Sequence, residues 1–512
     1  MFRQSNQGQG QLPMFLEDVI PQGHLVRVVD EGVDRLKLSE LLDKMQEREP
    51  DDPLRAQRGP LKIQATGRPA YHPRTLLKLL FYGYATGTFS SRKLAQKARD
   101  DIPTLWLTAQ EKPDFRTISD FRKTYLKEIA DLFVQFLKLC QALGMTKLGH
   151  VAVDGSRLKA NASRHKAMSA ERLQQKTPEL KAEVDKLLRQ AQETDQAEDA
   201  EHGKREGTEL PEDLAHKEQR LERMEQALKA LQGRADAESG KQDSAIRPKM
   251  QHNFTDPDSR IMTNRKGETL QAYNGQIAVD RTEGVIVAAD VTNNASDRNE
   301  LSLIVEQLKQ NVGKPVKLSA DTGYHSGPNL ADMAKRKIDS YITDTREGKG
   351  GPENPYHKRH FEYDAERDAH RCPQGQWLPL KTVRKDTEGQ TEWVYANEEA
   401  CAACPVRHLC TKATKGGRTI TRDEYEPVRE EMRAKLQTDD GSAEYRKRKS
   451  TVEPVWGQLK NIMGFDRFSL RGLPQVKLEF RIACTAHNLR KIAAKLRKSP
   501  ELWDTMRSWV PG

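Results

Sequence analysis

No stretch of this 512-residue chain approaches the roughly 20 consecutive apolar residues that a membrane span requires. Aromatic residues make up only 6% and hydrophobic residues only 36%, against 31% charged, so much of the chain must be solvated. The opening MFRQSNQGQGQLPMF contains no apolar signal-peptide segment. These absences predict a soluble protein that is neither exported nor membrane-bound. Cysteine is also scarce. There are six, four of them grouped in one region, which is not the disulfide framework of a secreted chain and predicts a reducing, cytoplasmic compartment.

What the chain does have is positive charge, unevenly spread. The net charge is +10, but residues 446–498 alone hold fourteen Lys or Arg against Glu453, Asp466 and Glu479, a local +11. A surface of that density predicts a polyanionic partner bound through counterion release, the alternative being a solvated helix face. At 512 residues the chain exceeds the size at which one core usually stops growing, so several domains or large insertions are expected.

Residues 1–145 read as helical. In RPAYHPRTLLKLLFYGYATGTFSSRKLAQ, Pro73 fits a helix start and Leu76, Leu77, Leu79 and Leu80 form an apolar face. Gly83 to Gly87 permit a turn, and Ser90 or Ser91 caps a second helix. Such a pair is either a plain helical hairpin or a unit that presents Arg92, Lys93 and Lys97 to a DNA groove. A start signal at Thr117 predicts one long helix through Phe121, Tyr125, Ile129, Phe133 and Phe136.

From Gly149 the period changes. HVAVDG, YNGQIAVD and GVIVAADV read as three strands, PVKLSAD as a fourth and DSYIT as a fifth, with helices at Leu301–Leu308 and Leu330–Lys337. This is a mixed α/β core of five strands, assembled from residues 146–163, 249–344 and 445–498. Two segments interrupt it. Residues 164–248 carry Leu180, Val184, Leu187 and Ala191 on one helical face, then Leu214, Leu221, Met224, Leu228 and Leu231 at heptad spacing. With a break at GKREGTELPED between them, they predict an antiparallel coiled-coil arm. Residues 345–444 carry Cys372, Cys401, Cys404 and Cys410, a candidate tetrahedral site for structural Zn²⁺, with His370 and His408 as spare ligands. Reduced thiols, or a redox-labile pair at Cys401 and Cys404, are the alternatives. Cys140 and Cys484 lie on apolar helical stretches and read as buried structural thiols. Residues 499–512 form a tail.

Three acids stand out against these surroundings. Asp154 and Asp321 end short apolar strand runs, and Glu453 lies on the basic helical stretch YRKRKSTVEPVWGQLK. If the two strands are neighbours, both aspartates leave the same sheet end, and a glutamate on a facing helix completes a hard-oxygen cage for Mg²⁺ or Mn²⁺. Such carboxylates repel unless a cation neutralises them. Lys460 lies two helical turns beyond Glu453 on the same face, within reach of a phosphate. Asp297 in NNASDRNEL reads as a helix cap, with an approach to the acidic site as the alternative. Trp456 reads as core, with base stacking as the alternative.

These residues resemble the DDE transposases of bacterial insertion sequences. The resemblance is carried by VAVDGSRLKANAS, TDPDSRIMTNRKGETLQAYNGQIAVD, LSADTGYHSGPNL and YRKRKSTVEPVWGQLKNIMGFDRFSLRGL, and it covers most of the chain. It implies an RNase H-like core, with Asp154, Asp321 and Glu453 as catalytic metal ligands. The family's Tyr, Arg, Glu, Lys signature falls on Tyr445, Arg448, Glu453 and Lys460. Four residues rather than three separate Arg448 from Glu453, so Lys449 occupies the strict arginine position. Arg467 and Arg471 join these as DNA contacts.

A subgroup of the family shares the cysteine pattern and the YHPRTLLKLLFYGYATGTFSSRKLAQ block. The resemblance implies double-stranded DNA as partner, both terminal inverted repeats and target, and a homodimer on DNA in a bacterial, nucleoid-associated setting. The implied reaction is cleavage at the element ends and joining of 3′-hydroxyls to target DNA. A metal-dependent nuclease without strand joining and a non-catalytic DNA-binding regulator are the competing functions.

Overall fold

The structure, a computed structural model, describes residues 15–46, 70–202, 212–240, 242–264, 267–344, 354–385 and 389–511. The predicted arm break falls mainly in 203–211, outside the described residues, as does the start of the cysteine segment at 345–353. Among the described residues no helix is long and apolar enough to cross a membrane.

Eight helices open the described chain: α1 (Leu16–Val19), α2 (Leu25–Asp34), α3 (Ser39–Gln46), α4 (Pro73–Ala85), α5 (Ser91–Asp100), α6 (Ile102–Leu107), α7 (Phe115–Thr124) and α8 (Leu126–Ala142). Pro73 does begin α4, where the missing N–H costs nothing, and the side chain of His72 accepts from Arg74 N–H. The expected long helix after Thr117 is instead two. Asp114, not Thr117, caps α7 through its carboxylate, and the chain leaves helical geometry at Tyr125 before α8 begins. Period 3.6 continues across the break, which is why the pattern alone did not reveal it.

The central sheet is mixed. It comprises β1 (His150–Lys159), β4 (Arg260–Thr263), β5 (Thr269–Asp280), β6 (Val285–Thr292), β7 (Lys317–Ala320) and β8 (Asp339–Ile342). Two short strands, β2 (Ala167–Ser169) and β3 (Gln251–Asn253), pair separately at the base of the arm. The main order runs β6-β5-β1-β7-β8: β6, β5 and β1 are antiparallel neighbours, and β7 and β8 run parallel to β1. The sheet has six strands rather than the expected five, because β4 pairs with the first residues of β5 in line with β6. Runs such as VAV, IAV and VIVAA are buried throughout, as strands covered on both faces must be.

Helices cover this sheet. α11 (Leu301–Val312) packs on β5 and β6, α12 (Gly327–Lys335) on β8, and α16 (Asp439–Gly457) on β1, β5, β7 and β8. α17 (Leu473–Lys498) is the spine of the molecule, touching β6 on one side and α2, α4 and α8 on the other. One hydrophobic core therefore runs unbroken from Val28 and Leu79 through Phe136 and Phe480 to Val279 and Leu318. The N-terminal helices share their core with the sheet.

The arm is two helices, α9 (Ala170–His202) and α10 (Glu212–Ser239), in mutual contact. Its seam near the base is Leu173, Met224, Ala227, Leu231 and Ala235. The cysteine segment folds into an antiparallel meander, β9 (Glu362–Asp364), β10 (Ala369–Arg371), β11 (Trp377–Lys385), β12 (Thr391–Ala396) and β13 (Thr419–Asp423). Between β12 and β13 lie two short helices, α13 (Glu398–Ala402) and α14 (Arg407–Cys410), and α15 (Glu426–Gln437) returns the chain to α12 and α16. The meander's own core is small: Phe361, Leu378, Tyr395 and Ile420.

Candidate carboxylate site and its basic surroundings

Asp154 and Asp321 meet through strand register. β1 and β7 are parallel, with Val153 opposite Ala320, so the two aspartates are the next residues on adjacent strands, about 4.8 Å apart at the backbone. β7 stops at Ala320, whereas β1 continues to Lys159 paired only with β5, which leaves a notch at Asp154. Asp321 turns the chain there, its Oδ1 accepting from Gly323 N–H at 2.9 Å. Asp154 is 1% exposed, and Nη1 of Arg448 stands 3.7 Å from its Oδ1.

Helix α16 tracks β1 over its length. Glu444 contacts Nδ1 of His150 at 3.2 Å and Nζ of Lys317 at 3.2 Å, near the start of β1 and β7. Hydrogen bonding to Lys447 is the main reason the Glu444 carboxyl falls to about 2, whereas burial holds His150 below its ordinary value in spite of Glu444. His150 is therefore neutral at pH 7, and its contact with Glu444 is a hydrogen bond rather than an ion pair. Further along, Arg448 faces Asp154, and just past the helix Nζ of Lys460 donates to Ser156 Oγ at 2.6 Å and Arg157 O at 2.8 Å.

Glu453 lies between those two basic contacts and is half-buried. Pro454 follows it inside the helix, and residues Gln458–Ile462 widen into a π-helical turn that carries Lys460. Interrupted helices of this kind are common beside functional groups.

The remaining signature residues flank this line. Thr343 Oγ1 donates to Tyr445 Oη at 3.0 Å, and Arg448 lies 5.9 Å from the Tyr445 ring centre. Lys449 is exposed. Arg467 and Arg471 are exposed on a segment that extends the sheet: Lys159 N–H donates to Asp466 O, Phe468 N–H to Lys159 O, and Arg471 Nε to Asn161 O. Trp456 is core, 7% exposed and stacked on Phe480.

Arg92 and Lys93 are exposed on α5, with Arg92 over the ring of Phe115 at 5.2 Å. The predicted helix pair is asymmetric: α4 is buried along nearly its whole surface, so only α5 faces outward. Its turn is tied to the Glu453 segment. Gly87 has φ +75°, and a Cβ there would stand 2.8 Å from Met463 O.

Asp297 is not the helix cap that its sequence setting suggested. The residue at that position is Glu300, and the Asp297 carboxylate turns inward to accept from Asn274 Nδ2 at 2.6 Å and Gln276 Nε2 at 2.7 Å. Gln276 in turn accepts from the hydroxyl of fully buried Tyr324, three residues past Asp321. Burial first, then the charges of Asp297, Asp154, Asp321 and Glu300, hold that hydroxyl protonated, well above the usual tyrosine range. Reading the strands alone missed this group; the one signal was polar Asn274 and Gln276 alternating inside an otherwise apolar strand.

Cys372, Cys401, Cys404 and Cys410 line a single cavity of about 30 Å³ in the meander. Burial, and the proximity of the other three thiols, push Cys410 upward, with Arg418 acting against them. Cys140 and Cys484 are fully buried elsewhere, and burial pushes Cys140 up to about 12. Among the described residues no group of three or more His, Cys, Asp or Glu side chains is arranged, as it stands, to hold a metal ion.

Two transposase families match the chain: a transposase DDE domain over residues 371–493 and a transposase domain (DUF772) over residues 14–124. The chain belongs to the DDE transposases of insertion-sequence type. The DDE match in this transposase includes Glu453 and all four clustered cysteines but not Asp154 or Asp321. No curated protein matches. Among solved structures, the piggyBac transposase synaptic complex with hairpin DNA aligns over 95% of this chain and 85% of that one, at 10% identity and a TM-score of 0.31. A likeness that weak carries no argument about this transposase. Enzymes of the DDE family are in general nucleases and strand transferases.

Proposed function

We propose that this transposase cleaves the ends of its own insertion sequence and joins the freed 3′-hydroxyls to target DNA, using Asp154, Asp321 and Glu453 in an RNase H-like core. One observation carries the reading: the parallel register that puts Asp154 beside Asp321 where β7 ends. The sheet order β6-β5-β1-β7-β8, with its first three strands antiparallel and its last two parallel, supports the RNase H-like assignment.

The donor set fits Mg²⁺ or Mn²⁺, since all three residues offer hard carboxylate oxygens, and the charges of Asp154 and Asp321 already bear on the buried Tyr324 hydroxyl. Asp154, Asp321 and Glu453 would hold the ion. When bound, the metal supplies an activated water or hydroxyl and stabilises the leaving oxygen of an in-line attack. Arg448, Lys449 and Lys460 would hold the flanking phosphates, and Tyr445 would fix the start of that face against Thr343. Arg467 and Arg471 continue the basic line past the end of β1, and Arg92 and Lys93 would contact duplex DNA further out. The partner is double-stranded DNA, as terminal repeats and as target, with two protomers pairing two ends. The four clustered cysteines fit a structural Zn²⁺, because soft thiolates around one small cavity would staple a meander whose own core has four residues.

The test is cleavage and joining of the flanking element ends with Mg²⁺. Asp154→Asn and Glu453→Gln should each lower cleavage by roughly a thousandfold, a loss of several kcal/mol of transition-state stabilisation, while terminal-repeat binding persists. Normal cleavage by either variant sinks the assignment, and cleavage without joining of pre-cut ends would reduce the protein to a nuclease.

A further inference from the structure

Asp297 is held by three side chains from two strands, Asn274 and Gln276 of β5 and Arg157 of β1. It is 9% exposed, on the loop between β6 and α11. Asn274 and Gln276, which donate to its Oδ1, sit two apart on β5 and so point to one face of the sheet. In register, they lie opposite Arg157 and Gly155 of β1. Arg157 pairs with the carboxylate, its Nη1 3.4 Å from Asp297 Oδ2, and strand alternation turns both β1 residues to the face opposite Asp154 and Arg448.

The two glycines nearest the aspartates show where the carboxylate sits. A Cβ on Gly155, the residue after Asp154, would stand 2.5 Å from Asp297 Oδ1 and 2.6 Å from Gln276 Nε2. A Cβ on Gly323, two residues after Asp321, would stand 3.3 Å from Asp297 Oδ2 and 3.0 Å from Asp321 Oδ1. One carboxylate thus fills the space that a side chain would need beside each of the two aspartates. Through Gln276 it also reaches Tyr324, which anchors the turn behind Asp321.

We propose that Asp297 is a positioning residue of the carboxylate site. It wedges between the β1 backbone at Gly155 and the turn at Gly323, and so sets the spacing of Asp154 and Asp321 from the face opposite α16. The inference rests on the metal-dependent reading above and extends it to a fourth acid. Residues that orient ligands from behind typically contribute 10- to 100-fold in metal affinity. A residue that merely tied the loop down would contribute to folding and leave ion affinity alone.

The test uses the full-length protein as Asp297→Asn and Gly155→Ala, with Asp154→Asn as the control. Mn²⁺ binding is measured by calorimetry, and the unfolding temperature is measured in EDTA. Asp297→Asn should weaken Mn²⁺ binding by about 10- to 100-fold. Its unfolding temperature in EDTA should stay at or above that of the wild type, because a like charge has been removed. Gly155→Ala, whose methyl group displaces the carboxylate, should weaken Mn²⁺ binding in the same way. Wild-type Mn²⁺ affinity in Asp297→Asn, alongside a loss in Asp154→Asn, overturns the proposal alone. Undiminished Mn²⁺ binding by Asp154→Asn overturns the carboxylate-site reading and this proposal with it. A clear fall of the Asp297→Asn unfolding temperature in EDTA makes the residue structural and also overturns the proposal.

Discussion

Tyr84 in α4 donates its hydroxyl to Glu479 in α17 at 3.3 Å, and the same carboxylate accepts from the backbone N–H groups of Ser469 and Leu470. Glu479 is 0% exposed. Arg122 of α7 closes the group, donating to Phe89 O at 2.9 Å and standing 3.5 Å from Tyr84 Oη. A buried polar knot thus joins the N-terminal helices, the spine helix and the segment that bears Arg467 and Arg471.

Glu479→Ala should therefore act on two readouts. Losing hydrogen bonds to a charged acceptor, and leaving their donors without it, should cost about 3 kcal/mol, read as a lower denaturant midpoint. The segment holding Arg467 and Arg471 loses its anchor, so affinity for duplex DNA should fall as well. An unchanged midpoint would show that water replaces the carboxylate freely.

Gly87 is a point of close approach between α4–α5 and the Glu453 segment. Gly87→Ala forces an L residue into left-handed geometry, and its methyl group presses on Met463 O. The expected loss is about 1–2 kcal/mol from the backbone alone, more with the clash, measured by thermal unfolding. Gly144, also at positive φ but with nothing within 4 Å of a Cβ, is the matched control and should show the backbone term only.

His487 governs part of the acid sensitivity. It is fully buried in α17, with Nε2 3.0 Å from Gly284 O, and burial lowers it to about 3. Above pH 6.5 it is neutral both folded and unfolded, so its contribution is constant. Between about 6.5 and 3 only the unfolded chain takes up the proton, so stability should fall by about 1.4 kcal/mol per pH unit from this residue. His487→Gln should flatten that slope in urea titrations at pH 7, 6 and 5, and an unchanged slope would assign the sensitivity to other groups.

The cysteine meander should carry one Zn²⁺ per chain under reducing conditions, measured by elemental analysis. Chelation should release it and expose the meander to proteolysis, since four buried residues make too small a core to hold five strands alone. Cys404→Ser should lose the ion while leaving the central sheet folded. Zero bound metal would leave the cysteines as reduced thiols.

Much of this molecule is legible in short windows of sequence. The β-branched runs HVAV, QIAV and VIVAADV announce their strands, and the apolar periods from Leu180 to Leu231 announce the arm, because strand and helix periods are local properties of the chain. The acids Asp154, Asp321 and Glu453 stand out for the same reason, as polar residues where the local pattern turns.

Proximity is not local. Asp154 and Asp321 are separated by 166 intervening residues, and nothing in either segment states that β1 takes β7 as a parallel neighbour with Val153 opposite Ala320. Burial of α4 along nearly its whole surface follows from α17 filling the space between the helices and β6, which no window within α4 contains. Asp297 makes the same point within one residue. Its sequence setting is that of a helix cap, yet Asn274, Gln276 and the missing side chain of Gly155 give its carboxylate a better partner set inside. The sequence alone determined where the main core strands and most of the helices lie and which acids mark the turn of their apolar runs. Tertiary packing decided which of those ends meet, because pairing register and shared burial depend on contacts between residues far apart in the chain.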